Sequence, residues 1–287
     1  MDAHNVSMDY IGGGFDTLVE HIQSVGDVLR QDAYVVINRN ITSRAWLTGY
    51  YIVEYEQHGR DRAKYGENLI HNLSRSLGGK SYSATNLRSY RLFYLLYPEL
   101  RPIVAKYLYE HFGQYSGNAG RNQDALVSIQ QSLIAELQNF EKQQSATAEL
   151  RAQNDQLSVR GTSPDGFAIV LSDGSVKAEP QMLFDRLSFT HIVQLLHVDE
   201  PLQRAFYAIE AMRGPWSVRE LQRQIDTNYY TRSGWSSNPD LLSQRLNVTA
   251  ERPSFHQEVK SPYFFEFLGL TPKETISEDE LEKAIVG

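Results

Sequence analysis

Residues 78–94 read GGKSYSATNLRSYRLFY, and they join two glycines and a run of small polar residues to an aromatic segment that carries arginines. The two glycines follow an apolar helical pattern and are placed as a glycine C-cap. Ser83 is placed as the N-cap of the next helix, which Pro98 ends. Two helices joined by a short glycine-containing turn are typical of a helix-turn-helix, so we predict this motif here. The face of the second helix that we expect to be buried carries Leu87, Tyr90, Phe93, Tyr94 and Tyr97.

The outward face of this second helix is the candidate site. In a helix-turn-helix bound to DNA, the second helix enters the major groove, where arginine contacts guanine O6 and N7 or a phosphate. Lysine and serine at the helix start are suited to phosphates. The alternative is a solvated helix whose arginines make surface ion pairs. The predicted DNA-binding residues of this segment are Lys80, Ser81, Ser83, Thr85, Arg88, Ser89 and Arg91.

The net charge of the 287-residue chain is −7, but the charge is unevenly distributed. Nine basic and three acidic residues lie between Arg60 and Lys106, so this segment carries +6 and the rest of the chain −13. The acidic total argues against a uniformly basic nucleic-acid-binding protein. The separated basic segment favours a local contact with DNA.

A second capped helix lies within residues 201–233. Ser217 and Glu220 have the spacing of a capping box, and Arg219 and Arg223 share one face of the helix that follows. We count both arginines among the candidate DNA-binding residues. The segment has a net charge of only +2, which favours the competing interpretation as a packing helix or a dimer element.

The periodicity predicts a mainly α fold, made of helical modules with a helix-turn-helix and with a small β-hairpin in an insertion. Apolar residues recur at helical spacing from Phe15 to about Gln57, in two segments, and a further short helix is expected at residues 101–112. Trp46 and Trp216 are expected in the core. The stripe of the first segment consists of Leu18, Ile22, Val25 and Leu29.

Residues 113–180 form the predicted insertion. A polar, Gln-rich helix is expected from Asp124 to about Gln156, and a tight hairpin around Asp173-Gly174. The apolar seam of the helix is too short for a convincing coiled coil, so packing on its own domain and on a second copy are both open. The seam consists of Leu126, Ile129, Leu133, Leu137 and Phe140.

No motif indicates an active site, and no catalytic or metal-binding residue is assigned. The chain has no cysteine, and its eight histidines form no His-x-x-x-His pair. The weak nuclease-like combination of Asp240, Glu258 and Lys260 lacks the flanking strands that would bring its carboxylates to a metal. No small-molecule substrate is evident. Without a secretion signal or a membrane-spanning run, the expected location is the cytoplasm.

Several separated blocks resemble one family. They include Asn38-Arg39, Trp46 to Gly49, Tyr65 to Ile70 and Ser83 to Arg88, followed by Phe93-Tyr94 and Pro98. Two later blocks, DEPLQRAFYAIEAMRGPWSVRELQRQI and SPYFFEFLGL, follow in the same order. Together they resemble the N-terminal region of the YhcG-like, DUF1016-type proteins of the PD-(D/E)xK nuclease family. The resemblance covers about residues 34–112 and 183–287.

The resemblance implies a helical, winged-helix-like DNA-binding part followed by a metal-dependent PD-(D/E)xK nuclease domain, whose catalytic strands would come after Gly287. No cofactor is therefore expected in this chain, and Mg²⁺ only in that domain. The predicted domains are a helical module with the helix-turn-helix (1–112), the insertion (113–180), a second helical module (181–257), and a linker with the first helix of a truncated nuclease domain (258–287).

The sequence thus supports a non-catalytic module that binds DNA and associates with a second copy of itself as a homodimer. The expected context is bacterial restriction or defence. The alternative is a protein-interaction or oligomerisation module that makes no DNA contact, in which the basic segment docks on an acidic protein surface. A complete enzyme that uses Asp240, Glu258 and Lys260 is the third hypothesis, and it requires metal-dependent cleavage by this chain.

Overall fold

The fold is mainly helical, as the sequence predicts. The computed structural model describes residues 14–58, 68–112, 159–171 and 174–235, together with Ala250 and Tyr263. The helices in these ranges are α1 (Phe15–His58), α2 (Leu69–Leu77), α3 (Ala84–Leu96), α4 (Arg101–Phe112), α5 (Pro180–Arg186), α6 (Phe189–Leu196), α7 (Pro201–Arg213), α8 (Val218–Asp226) and α9 (Tyr229–Trp235). The strands are β1 (Val159–Thr162), β2 (Ala168–Leu171) and β3 (Val176–Ala178).

Helix α1 is one continuous helix of 44 residues, about 66 Å long, so the prediction of two segments is wrong. No proline stands between the two apolar stripes, and nothing else there breaks the backbone hydrogen bonds. Burial in α1 begins at Tyr34 and continues to Val53. The earlier stripe is exposed: Ile22 and Leu29 each keep 64% of their surface.

Helix α3 crosses the second half of α1 so closely that Gly49 has no room for a side chain. A Cβ atom built on Gly49 would lie 2.0 Å from the carbonyl oxygen of Tyr90 and 2.9 Å from the Cβ of Tyr94. One turn earlier, the buried Trp46 donates its indole Nε1–H to the carbonyl oxygen of Tyr97, at 2.9 Å. The Trp-x-x-Gly pattern therefore fixes where the two helices meet.

The turn predicted between α2 and α3 is confirmed. Gly78 and Gly79 both have positive φ, at 63° and 73°, which favours glycine. A 3₁₀ turn at Lys80–Tyr82 follows, and Ser83 caps α3 by accepting the backbone N–H of Asn86 at 3.2 Å. Of the five predicted core residues of this segment, Tyr94 is half-buried and the others are buried.

Helices from both predicted modules share one hydrophobic core. The ring of Phe189, at the start of α6, lies 5.4 Å from that of Tyr90 and 5.7 Å from that of Phe93, and it also meets Tyr263 edge-on at 4.9 Å. Helix α8 packs on the same helix α6. The domain boundaries stay a prediction.

A buried histidine fixes the start of α6. His191 forms a capping box with Ser188, and its Nδ1 accepts the Ser188 backbone N–H at 3.2 Å. Its Nε2 lies 3.0 Å from the carbonyl oxygen of Trp216, a core residue as predicted. Because Nδ1 is an acceptor, Nε2 carries the proton. Burial lowers the pKa of His191 from 6.5 to about 4.

The predicted hairpin is present as the antiparallel pair β2–β3, in a three-stranded sheet of order β1-β2-β3. Strand β1 was not predicted, because its four residues include a glycine and follow a polar stretch that contains no alternation. The sheet packs on α7 through β3. Hydrogen bonding from Ser163, followed by the pairing with Arg213 of α7, lowers the pKa of Asp165 to about 2.

Three sequence predictions lie outside the described residues. They are the helix from Asp124 to Gln156, the combination of Asp240 with Glu258 and Lys260, and the first helix of the truncated nuclease domain, predicted within residues 258–287.

Candidate nucleic-acid interface

The outward face of α3 presents three of the predicted residues together. Thr85 and Arg88 are exposed and Ser89 is half-buried, and their spacing of three and four residues places them on one face of the helix. Lys80 is exposed in the 3₁₀ turn just before the helix. This group combines two cationic side chains with hydroxyls at the N-terminal end of a helix, which is a favourable arrangement for phosphate oxygens.

Ser81 and Ser83 hold the turn in place. The Ser83 hydroxyl accepts a hydrogen bond from the first turn of α3, and the carbonyl oxygen of Ser81 accepts one from the Tyr90 hydroxyl at 3.1 Å. Asn86 adds a side-chain hydrogen bond to the Lys80 carbonyl oxygen at 3.0 Å. These contacts fix the position of the Lys80 backbone relative to α3.

Arg91 is joined to another helix. Its Nε donates to both carboxylate oxygens of Glu56 on α1, at 3.0 and 2.8 Å. The side chains of Arg91 and Glu56 keep 40% and 31% of their surface. This contact corresponds to the alternative prediction of a surface ion pair, and it places the Arg91 guanidinium beside α1.

The two arginines of α8 differ as Arg88 and Arg91 do, since one is exposed and the other makes an ion pair. Arg219 is exposed, whereas Arg223 donates its Nε to Glu220 at 3.0 Å and its Nη2 at 2.7 Å. Ser217 caps α8 as predicted, by accepting the Glu220 backbone N–H at 3.1 Å. The Glu220 carboxylate is buried and also accepts the Gln224 amide at 2.6 Å.

Two exposed leucines on α3 were missed from the sequence. Leu92 and Leu95 keep 38% and 43% of their surface, and they continue the line of Thr85 and Arg88 along the same face. Their signal was the spacing of 3, 4 and 3 residues from Thr85 onward. It was overlooked because leucine on a helix is ordinarily a core residue.

No group of three or more His, Asp or Glu side chains within the described ranges is arranged to hold a metal ion. Among the helices of that same part of the chain, α1 included, none carries an apolar stretch that would cross a bilayer.

The fold defines a mainly helical protein with a small antiparallel sheet, in which a capped helix after a glycine turn carries an exposed polar face. The chain belongs to the DUF1016 N-terminal domain family, which it matches over residues 21–124 and 174–232. The gap between the two matched ranges lies within the predicted insertion.

A relative in Escherichia coli (strain K12), named "Putative nuclease YhcG", is 29% identical over 276 residues, which is 95% of this chain. The chain spans 60% of the length of that relative. No solved structure matches the chain. The family and this relative agree with the resemblance predicted from the sequence.

Proposed function

We propose that this chain is a DNA-binding module of a nuclease-family protein in the bacterial cytoplasm and that the outward face of α3 contacts DNA. The observation that carries the proposal is the exposed group of Lys80, Thr85, Arg88 and Ser89, presented by a helix whose other sides pack on α1 and α6. A helix held on two sides by its own core can present a polar face to the major groove without rearranging.

The exposed cations have distinct roles in this proposal. Arg88 lies in the second turn of α3, where a recognition helix contacts base edges, and an arginine there can bind guanine bidentately. Lys80 lies before the helix and contacts the phosphate backbone, which fixes register without reading sequence. Arg219 on α8 is proposed as a further phosphate contact. Arg91 contributes by holding α3 against α1 through Glu56, and Arg223 contributes through its ion pair with Glu220 within α8.

Duplex binding measured as a function of salt tests the proposal. The dissociation constant should rise steeply with salt, because phosphate contacts release condensed counterions. Arg88→Ala should weaken binding about tenfold at low salt and leave the free energy of unfolding unchanged. Lys106→Ala is the matched control, since it removes one positive charge of the same basic segment on α4 and should have little effect.

Arg91→Ala separates the two kinds of arginine. It removes a partly exposed ion pair, so it should lower the free energy of unfolding by up to about 1 kcal/mol and weaken DNA binding less than Arg88→Ala does. Equal binding by the Arg88 and Lys106 variants, or no binding to duplex, branched or single-stranded DNA at low salt, would remove α3 as the DNA contact.

Self-association and the absence of catalysis belong to the same proposal. A two-fold dimer would present two copies of α3 to successive major grooves. Light scattering of the chain should give a dimer mass. We place catalysis, and the Mg²⁺ it needs, in a PD-(D/E)xK domain outside this chain, so incubation with DNA and Mg²⁺ should give no cleavage products. We further propose a restriction or defence context.

A protein-interaction module is the second candidate function. The observation that favours it is the apolar half of the α3 face, since exposed leucines are more suited to a protein surface than to phosphates. Leu92→Lys distinguishes the candidates: DNA binding should be maintained or strengthened by the added charge, whereas binding to a protein partner on this face should be lost.

A further inference from the structure

The first half of α1 carries an apolar face that no described residue covers. Five side chains recur at spacings of 3, 4, 3 and 4 residues, which is the a/d pattern of a helix that packs along another helix. All five are exposed, and Phe15 keeps 78% of its surface. They are Phe15, Leu18, Ile22, Val25 and Leu29, and we call them the α1 apolar face.

The charged residues between Phe15 and Leu29 lie on the other side of the helix. Asp16, Glu20 and Asp27 project about 100° or more away from the α1 apolar face, because each residue turns the helix by 100°. A face that is apolar along its centre and polar on its back is typical of a helix with one partner. Contiguous exposed apolar surface of this kind marks an interaction site.

The face is small for a dimer interface. Fifteen helical residues span about 22 Å, and a helix is about 10–12 Å wide. A stable interface between separate proteins buries about 800 Å² on each side, which one such face does not supply. A segment of the same chain needs less contact area, because its effective concentration is set by a short connection.

The direction of α4 leads the chain towards this face. Arg101, at the start of α4, stacks over the ring of Tyr50 at 5.3 Å. Tyr107, later in α4, donates to the Asn40 side-chain oxygen at 3.0 Å and also reaches the Val36 carbonyl oxygen. Helix α4 therefore runs past α1 towards the N-terminal half of α1, and it ends at Phe112.

Residues 113–158 follow α4 and precede β1, so 46 residues start beside the end of the core nearest to the α1 apolar face. Within them, residues 124–140 carry the second apolar seam predicted from the sequence. Eleven residues between Phe112 and this seam can span about 36 Å, which exceeds the length of the α1 apolar face.

We propose that residues 124–140 of the same chain pack along the α1 apolar face. The two seams have the same length in residues, since one covers 15–29 and the other 126–140. The interface is independent of the DNA contact, because α3 meets α1 only beyond Tyr34, within the buried half.

Chemical cross-linking tests this interface in the full chain. The protein has no cysteine, so an introduced pair reacts without background. Ile22→Cys and Leu133→Cys place one thiol at the centre of each seam, and the centres meet whether the helices run parallel or antiparallel. A bis-maleimide that spans the ~8–10 Å between packed helix axes should join them. The expected product is a cross-linked monomer that migrates faster on a denaturing gel.

The matched control replaces Ile22→Cys by Glu20→Cys, which lies on the back of α1, and its yield of cross-linked monomer should be at least fivefold lower. A cross-linked dimer from the Ile22 pair would assign the face to a second copy. Equal yields from the two pairs, or no product from the Ile22 pair, would also overturn the proposal.

Limited proteolysis gives a second measurement. Ile22→Lys should raise the rate of cleavage within residues 113–158 at least threefold over the Glu20→Lys control, because it detaches the segment from its partner. Both substitutions lie outside the buried half of α1, so the core remains folded in each. Equal cleavage rates in the two variants would count against the contact.

Discussion

Gly49→Ala should be among the most damaging single-methyl additions in this protein. The new Cβ would lie 2.0 Å from the Tyr90 carbonyl oxygen, and even a close carbon–oxygen contact needs about 3.3 Å. The clash is with backbone, so no side-chain rotation relieves it and α3 must move away from α1 by more than about 1 Å. Overpacking of this kind costs about 1–3 kcal/mol or more, and the better helix propensity of alanine returns at most about 1 kcal/mol. Because the clash is with backbone, the cost lies at the upper end of this range, and we expect a net loss of about 2 kcal/mol in the free energy of unfolding.

Urea unfolding followed by circular dichroism measures this loss, and Gly26→Ala is the matched control. Gly26 lies on the same helix, but its added Cβ would meet only the Arg30 guanidinium, at 3.8 Å. That variant should lose no stability and gain up to about 1 kcal/mol. If the free energies of unfolding of the two variants lie within about 0.5 kcal/mol of each other, then the close crossing of α1 and α3 does not determine the stability of the fold.

Two other perturbations probe buried hydrogen bonds. The pKa of His191 is about 4 in the folded chain and 6.5 in the unfolded chain, so the unfolded state binds more protons as the pH falls. The free energy of unfolding should therefore drop by about 2 kcal/mol between pH 7.5 and pH 5. In urea titrations, His191→Gln should flatten this drop, whereas the exposed control His197→Gln should leave it unchanged. If the drop persists unchanged in the His191 variant, then other groups bind the protons responsible for it. Trp46→Phe leaves the Tyr97 carbonyl oxygen without its indole donor, and it should cost about 2 kcal/mol and several degrees of melting temperature. No shift in melting temperature would mean that water replaces the donor.

The turn and α3 could be predicted because their signals are local. Gly78 and Gly79 supply the positive φ angles, Ser83 supplies the cap, and Pro98 ends the helix, so each signal lies within a few residues of the structure it determines. The exposure of Thr85 and Arg88 follows from the same 3.6-residue period.

The features that could not be predicted depend mostly on contacts between residues that are distant in sequence. Glu56 lies 35 residues before Arg91, and no local pattern indicates that the two side chains meet. The stripe at Leu18 and Ile22 is identical in periodicity to a core stripe, and only the position of the other helices decides that it is exposed. At α6 the capping box uses histidine where glutamate or glutamine is usual, so the motif was not recognised.

The contacts between α1 and α3 impose a length constraint on α1. Trp46, Gly49 and Glu56 contact α3 or the residue that follows it, at spacings of 3 and 7 residues, so inserting or deleting one residue among them would rotate everything beyond it by about 100°. After an insertion between Gly49 and Glu56, Glu56 would point away from Arg91 while Gly49 still faced Tyr90. None of these contacts lies in the first half of α1. Adding or removing a whole heptad there changes the length of the α1 apolar face while the core keeps its geometry. The same helix therefore contains a segment of fixed length and a segment of adjustable length, and the boundary between them lies near Tyr34.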